Sequence, residues 1–596
     1  MGDGFIIAID FGTAFSGYAF NISPRGKESE PHLKRWGREY GLDTPKTPTC
    51  ILFNEDKEFL SFGYEAQMKY MHMRGEEAKK HYLFEDFKMA LYNKKLNNDL
   101  KIKDASGKPM KALNVFKESL RFLKQDALKT INSNTRGMKF IPSFFTWVLT
   151  VPAIWDPSAK QFMREAAKQA GIVTEGRENN LLIALEPEAA SIWCMKLPPE
   201  GFISEIHSKD TLDESPGTRY IVVDCGGGTI DMTVHEVQDG GTLKELHKVS
   251  GNNLGGQTVD RKFKHFLREI FPDGVWDEFQ QNSPSLAQRI MYDFTRLKQT
   301  DRDIQISPPF KLVSLAKKMS GRENFIKSDL GASWDDDYIT ISRDRLRSFF
   351  DESLTGITQI LREIFNSVLN INYILLVGGF AQSKILQQHI IDQFEHHCEF
   401  LCPFRAQEAI VKGAVEYGRN PQVFISRKSS YTYGFAVCEK FDKRKHKEEK
   451  KFTAGGVEYC RDIFKKLVEE GEDVGSEETR EFICSPAKAD QVNMTMRFYC
   501  SFRKDPVHVD GWGVDEVGSF CVDISRGGKV RLEIKFGSTE ITATGTNMRS
   551  GEKQAVTIDF MTTDSECVID EADDEISNGF SEASAEYIMD GTDETT

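Results

Sequence analysis

Two aspartates in matching surroundings offer the most chemistry in this sequence. Asp10 closes the apolar run Phe5-Ile6-Ile7-Ala8-Ile9 and leads into Phe11-Gly12-Thr13, while Asp224 closes Tyr220-Ile221-Val222-Val223 and leads into Cys225-Gly226-Gly227-Gly228-Thr229. A carboxylate at a strand end, followed by glycines that admit another backbone closely, is a place where N–H groups surround an anion. Two such carboxylates facing each other suit one hydrated Mg²⁺, which keeps most of its waters and takes one or two carboxylates beside phosphate oxygens. Thr13 and Thr229 add hydroxyls for a terminal phosphate. Gly378-Gly379, which follows the apolar run Tyr373-Ile374-Leu375-Leu376-Val377, gives backbone room for an α-phosphate or an adenosine end.

The elements that must hold these residues can be read from periodicity. The run 5–10 and the β-leaning stretch 17–22 flank a Gly/Ser-containing turn, which predicts a hairpin, and residues 220–225 and 230–234 repeat the pattern. A strand ending in Asp-x-Gly with a nearby Thr, met twice, predicts an internal duplication. Between the copies, residues 158–170 follow Pro157 and stop at Gly171 as a capped helix does. The apolar stretch 144–152 is short and closed by Pro152, so it reads as a buried sheet strand rather than a membrane segment. Strand 373–377 runs through Gly378-Gly379 toward a helix from Ser383, and strands alternating with helices predict α/β layers. After about residue 423 the texture becomes strand-rich (431–437, 492–500, 529–536, 555–560).

Composition narrows the function classes. A chain of 596 residues with 39% hydrophobic and 28% charged content is an ordinary globular composition spread over several domains. Its net charge of −14 provides no general cationic field for nucleic acid. No apolar run is long enough to span a bilayer and the first residues lack a basic leader region, so neither membrane insertion nor secretion is expected. The 11 cysteines follow no framework spacing and read as reduced cytosolic thiols, His396-His397-Cys398 with Cys402 included. From Asp564 onward the chain holds about a dozen acidic side chains and no Lys or Arg, the composition of a solvated tail.

Taken together in this order, the motifs resemble the actin-like ATPase superfamily and, within it, the 70-kilodalton heat-shock chaperones. Ile9-Asp10-Phe11-Gly12-Thr13 matches the first phosphate motif, Asp224 through Asp231 the second, and Leu376-Val377-Gly378-Gly379 the adenosine motif. Thr150-Val151-Pro152-Ala153-Ile154-Trp155 and Glu186-Pro187-Glu188-Ala189-Ala190 look like the segments joining the two lobes, and Leu254-Gly255-Gly256-Gln257 like the second-lobe loop. The insert Lys196 to Arg219, Phe87-Lys88-Met89 and Ser429-Ser430-Tyr431-Thr432-Tyr433-Gly434 look most like the divergent subfamily twelve of these proteins.

The resemblance implies an α/β, duplicated actin-like ATPase fold with two lobes around a nucleotide cleft, then a smaller β-rich domain. Lobe I would cover 1–219 with an inserted subdomain at about 41–114, lobe II 220–423 with one at about 254–340, the β-rich domain 424–562 and the acidic tail 563–596. It implies ATP or ADP with Mg²⁺, the metal at Asp10 and Asp224, and a catalytic set of Lys88, Glu186, Asp224 and Asp231. Nucleotide contacts would come from Gly12, Thr13, Ala14, Gly226, Gly227, Gly228, Thr229, Gly255 and Gly256. Asp293, Arg296 and Lys298 occupy the helix that would supply ribose and adenine contacts, with Gly378, Gly379 and Phe380 closing the adenosine end. Phosphoryl transfer asks mainly for positioning and charge stabilisation, which a lysine, a metal and water-orienting carboxylates supply.

Two stretches depart from the chaperone pattern. Gly378-Gly379-Phe380-Ala381-Gln382-Ser383 stands where the family reads Gly-Gly-Ser-x-Arg, so a planar cation for stacking on adenine is missing. Arg419 through Lys428 stands where the family has an apolar, acid-flanked linker, and no long helical pattern follows the C-terminal strands. The basic run Lys440 to Lys451, interleaved with Glu439, Asp442, Glu448 and Glu449, reads as a solvated loop and leaves nuclear access open. The expected activity is slow cytoplasmic hydrolysis of Mg-ATP coupled to an unidentified protein partner or client. The alternatives are a nucleotide-sensing scaffold without turnover and a small-molecule kinase.

Overall fold

The computed structural model describes residues 4–561 apart from 24–28, 75, 95, 136–138, 204–210, 272–273, 321–329, 336, 455, 485–492, 524–528 and 557. The acidic tail expected at 563–596 lies outside the described residues.

Two sheets repeat one plan. In the first, Phe5–Phe11 pairs antiparallel with Phe15–Asn21 on one side and parallel with Phe145–Val151 on the other, which in turn pairs parallel with Leu181–Leu185. In the second, Arg219–Cys225 pairs antiparallel with Ile230–Val237 and parallel with Tyr373–Val377, which pairs with Glu399–Leu401. Asp10 and Asp224 therefore occupy equivalent ends of equivalent strands, opposite Gly17 and Asp231 respectively. The duplication expected from the repeated Asp-x-Gly pattern is present in the strand connections themselves.

The first-lobe strand is covered on both faces, as parallel sheet strands usually are. Ile7, Ile9 and Phe11 enter a first-lobe core with Phe116 and Phe162, whereas Ile6 and Ala8 point the other way, into a core shared with Tyr220, Val222 and Leu375 of the second lobe. Two helices fill that shared layer, Glu186–Met195 and Ala406–Arg419. The helix Pro157–Gln169 covers the outer face of the first sheet. Proline at its first turn needs no N–H partner, and Gly171 at φ +70 ends it.

Each lobe carries an inserted layer at the mouth of the cleft. In the first, Ile51–Phe53, Phe59–Phe62 and Tyr82–Phe84 form a small sheet beside the helix Tyr64–His72. In the second, the helices Gly256–Ile270, Val275–Asn282 and Pro284–Leu297 pack beside a three-stranded sheet. The strand Phe424–Lys428 continues the second-lobe sheet by pairing parallel with Leu243–Asn252, so that sheet extends past residue 423.

A β-sandwich closes the chain, with a five-stranded sheet around Thr432–Lys440 and a four-stranded sheet around Val530–Lys535. Its core includes Phe435, Phe498, Leu532 and Ile534. Among the described residues beyond Lys428 there is no α-helix. The sandwich is bonded to the first lobe: Lys160 Nζ donates to Thr539 O at 3.0 Å, Thr539 Oγ1 donates to Ile183 O at 2.8 Å, and Arg164 Nε donates to Glu540 at 2.9 Å.

Candidate active site

The two hairpin turns meet at the floor of the cleft. Gly228 passes so close to the first lobe that an added Cβ would lie 2.6 Å from Thr13 Oγ1 and against Met89 Sδ. The second-lobe turn is held from behind: Gln257 N–H donates to Gly227 O at 2.8 Å, Gly256 N–H to Gly226 O at 3.1 Å and Gly255 N–H to Gly228 O at 3.2 Å. Gly255 therefore ties the loop and does not line the cavity, whereas Gly256 does both. Gly378 has φ +87, a conformation other residues rarely adopt, and a Cβ there would collide with the Asp224 carboxylate.

Four carboxylates gather at this floor. Asp10 receives Thr150 Oγ1 at 3.1 Å on one oxygen and an ion pair from Lys46 Nζ at 2.5 Å on the other. Asp224 is 1% exposed, and its Oδ1 is buried without a hydrogen-bond partner. Burial pushes its carboxyl well above the usual range, the charges of Glu186, Asp231 and Asp10 add to the push, and Lys46 opposes it. Asp231 accepts Ile154 N–H at 2.9 Å on Oδ1 and leaves a buried, unpartnered Oδ2. Burial raises its carboxyl as well. Glu186, at the start of the shared-layer helix, is likewise raised by burial and held back chiefly by Lys88, whose Nζ donates to it at 2.7 Å. Lys88 is 1% exposed and sits 5.0 Å from the centre of the Trp155 ring.

Orphaned carboxylate oxygens facing one cleft fit a divalent cation. Among the described residues no three acidic, His or Cys side chains cluster tightly enough to cage a metal by themselves. That suits Mg²⁺, which draws the rest of its shell from water and phosphate.

The open space in the cleft is about 980 Å³, solvent at the mouth included. Asp10, Gly12, Thr13, Ala14 and Glu186 line it from the first lobe; Asp224, Gly226, Gly227, Gly228, Thr229 and Gly256 line it from the second. Gly378, Gly379 and Phe380 close the far end, where Phe380 stacks on Phe350 with centroids 5.8 Å apart. Lys88 and Asp231 stand behind this lining.

Of the residues expected to contact ribose and adenine from the helix Pro284–Leu297 and its end, Lys298 lines the cavity and Asp293 and Arg296 do not. The cavity is lined by Thr295, Lys298 and Gln299, not by Asp293 and Arg296. Arg296 instead stands over the Tyr292 ring. Lys298 Nζ donates to Asp260 at 2.6 Å and to Gly256 O at 2.7 Å. Gln407 lines the same end, 2.9 Å from the Gln382 side chain, and Ser383 Oγ is buried there without a partner. Sequence reasoning singled out Lys298 on this helix but missed Lys46, Thr150 and Gln407 as site residues. Of these only Thr150 lay inside a quoted motif. Across the mouth, Gln288 Nε2 donates to Glu85 at 2.6 Å and Gln257 bonds to Asp86, so the two inserted layers touch and the cleft is closed.

The family model for Hsp70 protein matches residues 66–418, which contain the second phosphate turn, the Glu186 helix and the adenosine end. The chain belongs to the Hsp70 family. It is 33% identical to mouse heat shock 70 kDa protein 12A over 93% of this chain and 91% of that protein. Human heat shock 70 kDa protein 12B is 32% identical over the same shares. The chaperone protein DnaK of Methanothermobacter thermautotrophicus is 24% identical over 65% of this chain and 55% of its own length. This Hsp70 thus has the actin-like, two-lobed ATPase fold and is an ATP-binding protein of that family, with divergent members as relatives along nearly its whole length. Among the described residues no helix is long and apolar enough to cross a membrane.

Proposed function

We propose that this Hsp70 binds Mg-ATP in the closed cleft and hydrolyses it slowly, and that turnover changes how the C-terminal sandwich meets a protein partner. The observation that carries the reading is the convergence of Asp10, Asp224 and Glu186 on the cavity floor between two glycine turns, with Asp231 behind them opposite Asp224. Asp10 and Asp224 would hold the magnesium ion, whose charge neutralises the phosphate oxygens. Asp231, whose buried Oδ2 has no partner, would help orient an attacking water from behind the lining. Glu186 orients the same water, and Lys88 fixes the Glu186 carboxylate against the Trp155 wall. No covalent nucleophile is required.

Support for coupling comes from the helix that begins at Glu186. Two residues on, Glu188 grips Arg427 of the strand that leads into the sandwich. The family's apolar linker is replaced here by a buried ion pair that connects cleft and sandwich. The eight described free cysteines suit a reducing compartment, and we assign the protein to the cytoplasm.

The test is titration with ATP and ADP, with and without Mg²⁺, followed by phosphate release against an Asp224→Asn control. Binding with release above the control supports the reading. Binding without release leaves a nucleotide-sensing scaffold, and no binding removes the reading. Release that depends on added sugar or glycerol would assign a small-molecule kinase instead.

A further inference from the structure

Lys46 is a buried cation that the family motifs do not include. It is 8% exposed, its ammonium lies 2.5 Å from Asp10 Oδ2, and it lines the nucleotide cleft beside Thr13 and Phe15. Its place is fixed from both sides. Thr44 Oγ1 donates to Lys46 O at 2.8 Å, and the next residue, Thr47, pairs with Ser16 of the first phosphate hairpin. Two residues further, Thr49 Oγ1 donates to Gly12 O at 2.7 Å and Thr49 N–H to Ala14 O at 2.9 Å, so the segment carrying Lys46 is stitched to the phosphate turn. The lysine stem runs over Gly17, the residue opposite Asp10 in the hairpin, where an added Cβ would press on Lys46 Cγ at 3.2 Å.

The cavity lining holds one other lysine, Lys298, and it is engaged by Asp260 and Gly256 O. Lys46 is differently placed. Its contact with Asp10 is an ion pair without hydrogen-bond alignment, since Asp10 Oδ2 has no aligned donor. An ammonium carries three N–H donors, and one that meets Asp10 by charge alone keeps donors for a phosphate oxygen while retaining that ion pair.

We propose that Lys46 is a resident cation of the phosphate site, sharing Asp10 with the divalent ion and contacting the nucleotide's terminal phosphates, so that adenine nucleotides bind even when magnesium is withdrawn. The proposal rests on the nucleotide reading above and deepens it. A polyphosphate facing Asp10, Asp224 and Glu186 with no cation present is repelled. One fixed ammonium at contact distance offsets much of that repulsion, because charge pairs in a part-buried site interact through a low effective dielectric.

The experiment is calorimetric or fluorescence titration of the full chain with ATP and ADP, in Mg²⁺ and in EDTA, for wild type, Lys46→Met and Lys46→Arg, with circular dichroism to show that each variant is folded. Wild type should lose less than about tenfold in affinity on chelation, Lys46→Met about a hundredfold or more, and Lys46→Arg an intermediate amount. Equal magnesium dependence in wild type and Lys46→Met overturns the role of Lys46 and leaves the nucleotide reading standing. A wild type that binds only with Mg²⁺ overturns it without any variant. Failure of wild type to bind under both conditions overturns the nucleotide reading and this proposal together.

Discussion

Arg427 and Glu188 face each other as a buried bidentate pair, Nε to Oε1 at 2.7 Å and Nη2 to Oε2 at 2.9 Å, and the remaining Arg427 Nη1 donates to Gly537 O at 2.7 Å. One guanidinium thus joins the helix that starts at Glu186, the second-lobe strand Phe424–Lys428 and the sandwich. Removing one partner of such a pair strands the other charge in a low-dielectric site, which costs about 3–5 kcal/mol. Arg427→Ala should lower stability by that amount in urea denaturation and expose the 424–432 segment to protease. The double change Glu188→Gln with Arg427→Met should recover most of the loss, because no lone charge remains. If Arg427→Ala denatures like wild type and is cut no faster, the joint is not where the sandwich is held.

The same cluster sets a pH dependence. Glu245, on the second-lobe strand Leu243–Asn252, is 2% exposed; burial first, then Glu188, push its carboxyl up to about 8, with Arg427 pulling the other way. A carboxyl raised by folding stabilises the fold in its protonated form. That contribution is complete below the ordinary value of 4.5 and is lost as pH rises through about 8. Glu85, at the cleft mouth, is raised to about 8 for the same reason and adds to the trend. Stability measured at pH 5, 7 and 9 should therefore fall toward high pH by a few kcal/mol, and Glu245→Gln should flatten the slope. An unchanged slope in the variant would show that Glu245 is charged in the fold throughout.

Lys88 does not line the cleft but holds Glu186 from behind. Lys88→Ala should change nucleotide affinity no more than a few-fold, yet lower phosphate release about a hundredfold, because a charge-fixing donor is lost from the reacting region. Without the ammonium, Glu186 keeps its proton to higher pH, so the pH profile of release should move upward. Lys88→Arg should restore part of the rate. Release at the wild-type rate in Lys88→Ala removes Lys88 from the mechanism.

The legible part of this protein was what neighbouring residues encode. A strand that ends in aspartate and glycine is a local pattern, and it placed both phosphate hairpins, Asp10 and Asp224, and the duplication. That Lys88 and Glu186, far apart in sequence, belong to one site came from family resemblance, and their direct pairing had no signal in the sequence. Of the three residues expected to contact ribose and adenine, helical phase puts Lys298 on the cavity and Asp293 and Arg296 off it. Thr295, Lys298 and Gln299 share one face at the i, i+3, i+4 spacing, while a residue two positions earlier, such as Asp293, stands about 200° round the helix. Lys46 had no pattern to reveal it. It sits in a stretch with little regular structure, and long-range contacts, the pairing of Thr47 with Ser16 and the Thr49 bonds to Gly12 and Ala14, bring it beside Asp10.

Contact between the phosphate turns gives a direct test of whether the closed cleft is the binding state. Gly228 leaves no room for a methyl group: its Cβ would meet Met89 Sδ and lie 2.6 Å from Thr13 Oγ1. Relief comes from shifting the Met89 and Thr13 side chains or from withdrawing the second-lobe turn, and either disturbs the junction at which both turns would close on one polyphosphate. The substitution sits at the cleft floor and leaves the large apolar clusters of both lobes untouched. Gly228→Ala should therefore keep a melting temperature near that of wild type while weakening ATP binding by about tenfold to a hundredfold, the scale at which a misplacement of about an ångström is felt. Protection of the 85–92 and 254–260 segments from protease by ATP should be lost in parallel. Full affinity together with full protection in Gly228→Ala would mean that nucleotide is held with the lobes apart.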